Sequence, residues 1–261
     1  MAHLLYDCNL FNIDPLNPLE IYNLTIGNEI CAGNFLAIKW AKTYGLITKA
    51  AISCVIEIDN IEVLQYLYGE GYKLDNKDIV YVIKSGSIEC LKYIHERDYV
   101  QNTRLCNAAT RYGHLDCLIY LHKQGCPWNG STCEVAAQNG HLEILQYLHE
   151  ESCPWDKLTC RISATYGHLD CLRYAHVQGC EWDEETCEVA AAKGHLDCLR
   201  YAHVQDCPWN ERTCSISATY GRLDCLKYAH EEGCPIDIQE CIDLATLNGQ
   251  QDCLHYLNAI K

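Results

Sequence analysis

Along Asp183–Lys193 (DEETCEVAAAK) the apolar positions Cys187, Ala190 and Ala191 recur at spacings of three and four. That spacing predicts a helix with a narrow stripe of small side chains, which lets a neighbouring helix come close. The next stretch, HLDCLRYAHV from His195, predicts a second helix with a broader apolar face. Leu196, Leu199, Tyr201 and Ala202 lie on that face with Cys198 beside them, while Asp197 and Arg200 point outward. Gly194 separates the two helices, because glycine takes the left-handed conformation of a helix end at little cost. Asp183 reads as the N-cap of the first helix, accepting from a free first-turn N–H, and Glu184 and Glu185 suit the positive end of its dipole. Asn129, Asp156, Asn210 and Asp237 stand at the matching places. A short loop containing CPW follows the second helix in neighbouring units, and its proline cannot continue a helix. Connections this short make adjacent helices antiparallel.

The pattern repeats. Gly194–Asp206 reads GHLDCLRYAHVQD, Gly167–Gly179 reads GHLDCLRYAHVQG, and Gly221–Gly233 reads GRLDCLKYAHEEG, a period of 27. Asp59, Gly86, Gly113 and Gly140 fall in the same register. GNFLAIKWAK from Gly33 parallels the second helix one residue out of phase, and Asp252 comes one residue late. Neither helix buries its stripe alone, so the fold class is all-α: a solenoid of stacked antiparallel helix pairs, about nine of them. Pro15 and Pro18 mark residues 1–20 as an irregular lead-in or N-terminal cap. Residues 21–261 read as one array, best defined between 75 and 236, with a capping repeat at 237–261 where Gln250, Gln251 and Asn258 suit a water-facing end.

Composition narrows the function. A formal charge of −15 argues against nucleic acid and against an anionic membrane surface, and favours a basic protein partner. There is no basic leader and no apolar run long enough to span a membrane, which reads as cytoplasmic. The 20 cysteines recur mostly at helical core positions, as reduced thiols acting as small hydrophobes. His195 with Cys198, Cys180 with Cys187, and His203 with Cys207 each supply two metal ligands, but no C-x2-C pair exists, so no metal or cofactor is expected. Metal binding through Cys and His stands as a lesser alternative. The thiols recur in parallel rather than at one special place, Ser163 and Ser217 replace alanine as small packing residues, and no phosphate-binding glycine loop appears. The expectation is therefore no enzyme. Trp128, Trp155, Trp182 and Trp209 form a periodic row read as packing between units.

Against the constant frame, the first, fifth and sixth residues after the first-helix cysteine vary: Asn107, Arg111 and Tyr112; Glu134, Gln138 and Asn139; Arg161, Thr165 and Tyr166; Glu188, Ala192 and Lys193; Ser215, Thr219 and Tyr220. Arg111, Tyr112, Gln138, Asn139, Arg161, Thr165, Tyr166, Lys193 and Tyr220 are the candidate partner-binding residues. Tyr112, Tyr166 and Tyr220 recur every second repeat, as interface aromatics or as covers for the helix end beside each glycine.

The frame Ala190–Ala191–x–x–Gly194–His195, its apolar second helix, and turns such as GCPWN at Gly125–Asn129 resemble the ankyrin repeat. The period is 27 rather than the usual 33, and TCEV or TCRI stands where Thr-Pro-Leu-His is expected. Over residues 25–260 the wording is similar to the short ankyrin-type repeats encoded by giant DNA viruses of amoebae. The resemblance implies a scaffold or adaptor for protein–protein contact, with the variable positions toward the concave side and His195 as a structural hydrogen-bonding residue. A monomer is expected, with a self-assembling solenoid as the alternative.

Overall fold

The structure, a computed structural model, describes residues 34–43, 49–72, 76–98 and 103–261. The lead-in expected at 1–20 and the start of the array, including Gly33, lie outside the described residues. Among the described residues there are 17 helices and no strand. They fall into two compact bodies, up to Pro127 and from Trp128. The first body holds α1 (Phe35–Thr43), α2 (Lys49–Glu57), α3 (Ile61–Gly69), α4 (Asn76–Ser85), α5 (Ile88–Asp98), α6 (Thr103–Tyr112) and α7 (Leu115–Lys123). The second body begins with α8 (Gly130–Asn139), α9 (Leu142–Glu150), α10 (Lys157–Tyr166), α11 (Leu169–Val177) and α12 (Glu184–Lys193). It continues through α13 (Leu196–Val204), α14 (Glu211–Thr219), α15 (Leu223–Glu231), α16 (Ile238–Leu247) and α17 (Gln251–Ile260). From α2 onward an even-numbered helix pairs with the odd-numbered helix after it.

The narrow stripe packs as its spacing requires. On α12, Thr186, Cys187, Ala190 and Ala191 are buried, and α10 and α14 bury Thr159, Cys160, Ser163 and Ala164, and Thr213, Cys214, Ser217 and Ala218. With only small side chains between them, the first helices of successive pairs pack closely, while the second helices touch more sparingly. On α13, Cys198, Leu199 and Ala202 are buried, Leu196 and Tyr201 half-buried, and Asp197 and Arg200 exposed. Burying each leucine-sized side chain contributes about 1.5–3 kcal/mol.

Within each body, a hydrogen bond from the residue before a second helix ties pairs to their predecessors. His195 precedes α13 but makes no side-chain bond to its own first turn. Its ring reaches back to the preceding pair, where Nε2 is 3.1 Å from the Thr165 carbonyl. His168 meets the Gln138 carbonyl at 3.1 Å and His114 the Lys84 carbonyl at 2.9 Å. These carbonyls belong to the last turns of first helices, where intrahelical donors have run out. The ring fits only because the residue beneath it lacks a side chain: a Cβ at Gly167, whose φ is +76°, would lie 2.5 Å from His195 Nδ1. Arg222 takes the histidine's place in one pair, its Nε donating to the Ala192 carbonyl at 3.1 Å. At Asp59 the exchange is fuller. Its carboxylate accepts from the Glu89 and Cys90 N–H groups, and Ser87 Oγ donates to the Ile56 carbonyl.

One capping expectation is corrected. Asn129, Asp156, Asn210 and Asp237 accept from first-turn N–H groups. Asp183 does not, because its carboxylate turns to Lys157 Nζ at 2.7 Å on the preceding first helix. The late Asp252 is absorbed by ten-residue α16, followed by Asn248 and left-handed Gly249.

Second helices end at a left-handed residue that is glycine at Gly125, Gly179 and Gly233 but Ser152 (φ 60°) and Asp206 (φ 60°) elsewhere. No atom comes within 4 Å of a Cβ built at Gly179 or Gly233, so this position demands conformation rather than space. Ser152→Gly and Asp206→Gly are each expected to raise unfolding free energy by about 1 kcal/mol in urea titration. Gly167→Ala, which adds a collision to the strain, should lower it by about 2 kcal/mol or more in the same titration.

Candidate interaction surface

Apart from Arg161, midway along α10, the candidate residues sit on or just past the last turns of first helices, beside the left-handed glycines. In the second body Tyr166 and Tyr220 leave 48% and 55% of their surface exposed, and Asn139 and Lys193 are exposed with them. In the first body Tyr112, 40% exposed, closes α6 next to exposed Arg111, and Lys84 Nζ stands 5.8 Å from the Tyr112 ring centre. Tyr166 serves both readings of the tyrosines: its ring is open to solvent, while its hydroxyl accepts from Gln138 Nε2 at 2.9 Å. Asn139 Nδ2 donates to the Val135 carbonyl at 2.8 Å, and Thr165 Oγ1 to the Arg161 carbonyl at 2.7 Å, so both are bonded to their own helices. Thr165, half-buried, also lends its carbonyl to His195.

Arg161 pairs with Glu185 of α12. The same link recurs one pair on, where Glu188 meets Arg212 Nε at 3.3 Å and Asn210 Nδ2 at 3.3 Å. Glu188 is buried, and with Glu184, Glu185, Val189, Asn210, Arg212 and Ile216 it lines a recess of about 350 Å³. Sequence reasoning noted that position 188 varies but missed this link. The signal was available as a spacing of 24 between charges of opposite sign, Arg161 to Glu185 and Glu188 to Arg212.

The other side of each pair carries an aromatic chain. Trp155, Trp182 and Trp209 are half-buried, each stacked on the histidine that ends the preceding second helix: His149 at 4.0 Å, His176 at 3.7 Å and His203 at 3.8 Å between ring centres. The next pair's tyrosine closes the set edge-on. His176 Nδ1 is 3.0 Å from Tyr201 Oη, His203 Nδ1 2.8 Å from Tyr228 Oη, and His230 Nδ1 2.7 Å from Tyr256 Oη. Arg173 and Arg200 lie over the outer faces of Tyr201 and Tyr228. Trp, His and Tyr thus satisfy one another, and burial lowers the His176 pKa below its ordinary 6.5.

Thiols on the helices are held protonated by their surroundings. Burial pushes Cys171 and Cys225 up to about 11, and Cys117, Cys198 and Cys241 up to about 12, with nearby carboxylates adding to the effect. Among the described residues no three His, Cys, Asp or Glu side chains gather as a metal site, and no helix is long and apolar enough to cross a membrane.

Stacked helix pairs with close-packed first helices, left-handed glycines and back-bonded histidines define an ankyrin-repeat fold. A search of solved structures agrees: the chain is similar to the human ASB11 ankyrin repeat domain, with a TM-score of 0.56 and 16% identity over 68% of this chain and 96% of that one. No protein-family model and no curated protein matches the sequence. At 16% identity the likeness shows the fold alone.

Thiols whose pKa is raised by folding contribute stability that is complete below their unfolded value of 9.0 and disappears as pH rises through their folded values near 11 and 12. The thermal midpoint is therefore expected to hold between about pH 7 and 8 and to fall progressively above about pH 9, measured by circular dichroism across a pH series.

Proposed function

We propose that the chain is a non-enzymatic protein–protein interaction scaffold that binds a basic partner along the last turns of its first helices, the concave side by resemblance to ankyrin repeats. The observation carrying this reading is the contrast between frame and variation. Histidine, glycine, cysteine and alanine are committed to packing and to bonds between pairs, whereas Tyr166, Lys193 and Tyr220 are exposed on consecutive first helices, above that frame. Tyrosine combines a rigid apolar ring with a polar tip, which suits an interface at little ordering cost. A preformed stack adds little further entropy cost, so several modest contacts at fixed spacing sum to useful affinity. The charge of −15 favours basic partners and makes binding salt-sensitive.

The short repeats' similarity to those of amoebal giant-virus proteins supports a viral scaffold acting on host factors in the host cytoplasm, working as a monomer. Light scattering that grew with concentration would favour the self-assembling alternative.

Tyr166→Ala combined with Tyr220→Ala is expected to weaken a partner captured from amoebal extract at least tenfold, about 1.4 kcal/mol, while helicity and urea midpoint stay near wild type. Unchanged capture by the folded double variant would place the binding surface elsewhere.

A further inference from the structure

In four pairs of the second body, two thiols from distant parts of one repeat come together at the start of the first helix: Cys133 and Cys153, Cys160 and Cys180, Cys187 and Cys207, and Cys214 and Cys234. One comes from that helix. The other opens the loop after that pair's second helix. Each loop thiol also donates to the carbonyl of the residue capping its own pair's first helix, at 3.4 Å for Cys153 to Asn129, 3.0 Å for Cys180 to Asp156, 3.3 Å for Cys207 to Asp183 and 3.2 Å for Cys234 to Asn210. Cys160 Sγ additionally lies 3.9 Å from the Cys180 carbonyl, so a second distance makes these residues neighbours. In the first body Cys106 Sγ stands 3.7 Å from the Cys126 carbonyl, the same relation. All these cysteines are buried and none is in a disulfide.

We propose that these pairs are oxidation sites, each closing into a disulfide in the presence of a peroxide and so fastening a first helix to the loop that leads into the next pair. The loop thiol reacts first, because the loop cysteine keeps 3–4% of its surface exposed where the helix cysteine keeps none. As a thiolate it attacks one peroxide oxygen, the O–O bond breaks, and a sulfenic acid forms while the departing hydroxide leaves with the thiol's proton as water. The helix thiol then attacks the sulfenic sulfur. The S–S bond forms, the S–O bond breaks, and the second proton leaves with hydroxide as a second water. Two thiols lose two electrons in total, and one hydrogen peroxide becomes two waters. The hydrogen bond from the helix thiol lowers the pKa of Cys153, Cys180 and Cys234, against the opposing effect of burial, favouring the loop thiolate as nucleophile. Closing a loop of this length constrains the unfolded chain, so oxidation stabilises the stack. The inference is independent of the proposed binding surface.

The test uses the full reduced chain, treated with hydrogen peroxide under native conditions, alkylated and analysed by intact and peptide mass spectrometry, with a urea-denatured sample alongside. The expected result is loss of two hydrogens per closed pair and peptides linking Cys133–Cys153, Cys160–Cys180, Cys187–Cys207 and Cys214–Cys234. The thermal midpoint should rise by several degrees, and dithiothreitol should reverse the rise. Cys180→Ser should abolish the Cys160 link and leave the other three. If that variant does not fold, the wild-type peptide map decides. Free thiols surviving native peroxide that oxidises the denatured chain would overturn the proposal, as would links scrambled among other cysteines or sulfinic acid in place of links.

Discussion

Close approach between neighbouring first helices is the constraint on which the rest of the stack depends. Threonine, cysteine, alanine and serine line most of the contact between α10, α12 and α14, and a leucine at any of those places would hold the backbones apart. Only at that separation does His195 reach the Thr165 carbonyl, and only over a glycine does its ring find room. The bond satisfies a helix-end acceptor that would otherwise face a crowded junction. The histidine is therefore less a helix opener than a tie between pairs, and Arg222 shows that any long donor reaching the same carbonyl will serve.

The second helices solve a different problem. They stand farther apart, and the gap is filled by tryptophan, histidine and tyrosine rather than by aliphatic side chains. Histidine suits the place because it has two working parts: a flat ring that stacks on tryptophan and a nitrogen that meets the next tyrosine hydroxyl. The row that invites reading as an exposed aromatic ladder is thus largely consumed by the frame.

With so many side chains committed, few remain to distinguish one repeat from another, and they divide further on inspection. Arg161, Glu185, Glu188 and Arg212 bond to one another across adjacent first helices, so part of the variation is electrostatic fitting between neighbours. Such partly exposed pairs contribute modestly to stability, about 1 kcal/mol or less. They do set which repeat suits which neighbour. Tyr166, Lys193 and Tyr220 are among the variable residues that face solvent.

Much of this architecture was legible from the sequence, because a period of 27 with a three-four apolar spacing admits few packings. The small stripe, the wider second face and the left-handed glycines all follow from spacing, and the helix bounds agree with it closely. What spacing does not carry is the identity of a partner from the next repeat. Asp183 is a competent cap by residue type, yet Lys157 claims it; Thr165 varies like a surface residue, yet its carbonyl holds His195; Glu188 varies too, yet is buried between Asn210 and Arg212. The thiol pairs belong to the same class, since twenty residues of chain separate Cys160 from Cys180 and only the return of the second helix brings them together. The sequence by itself determined the periodic frame, because local spacing dictates which face each helix buries. The tertiary structure decided every bond between one repeat and the next, because those depend on the distance at which neighbouring helices come to rest.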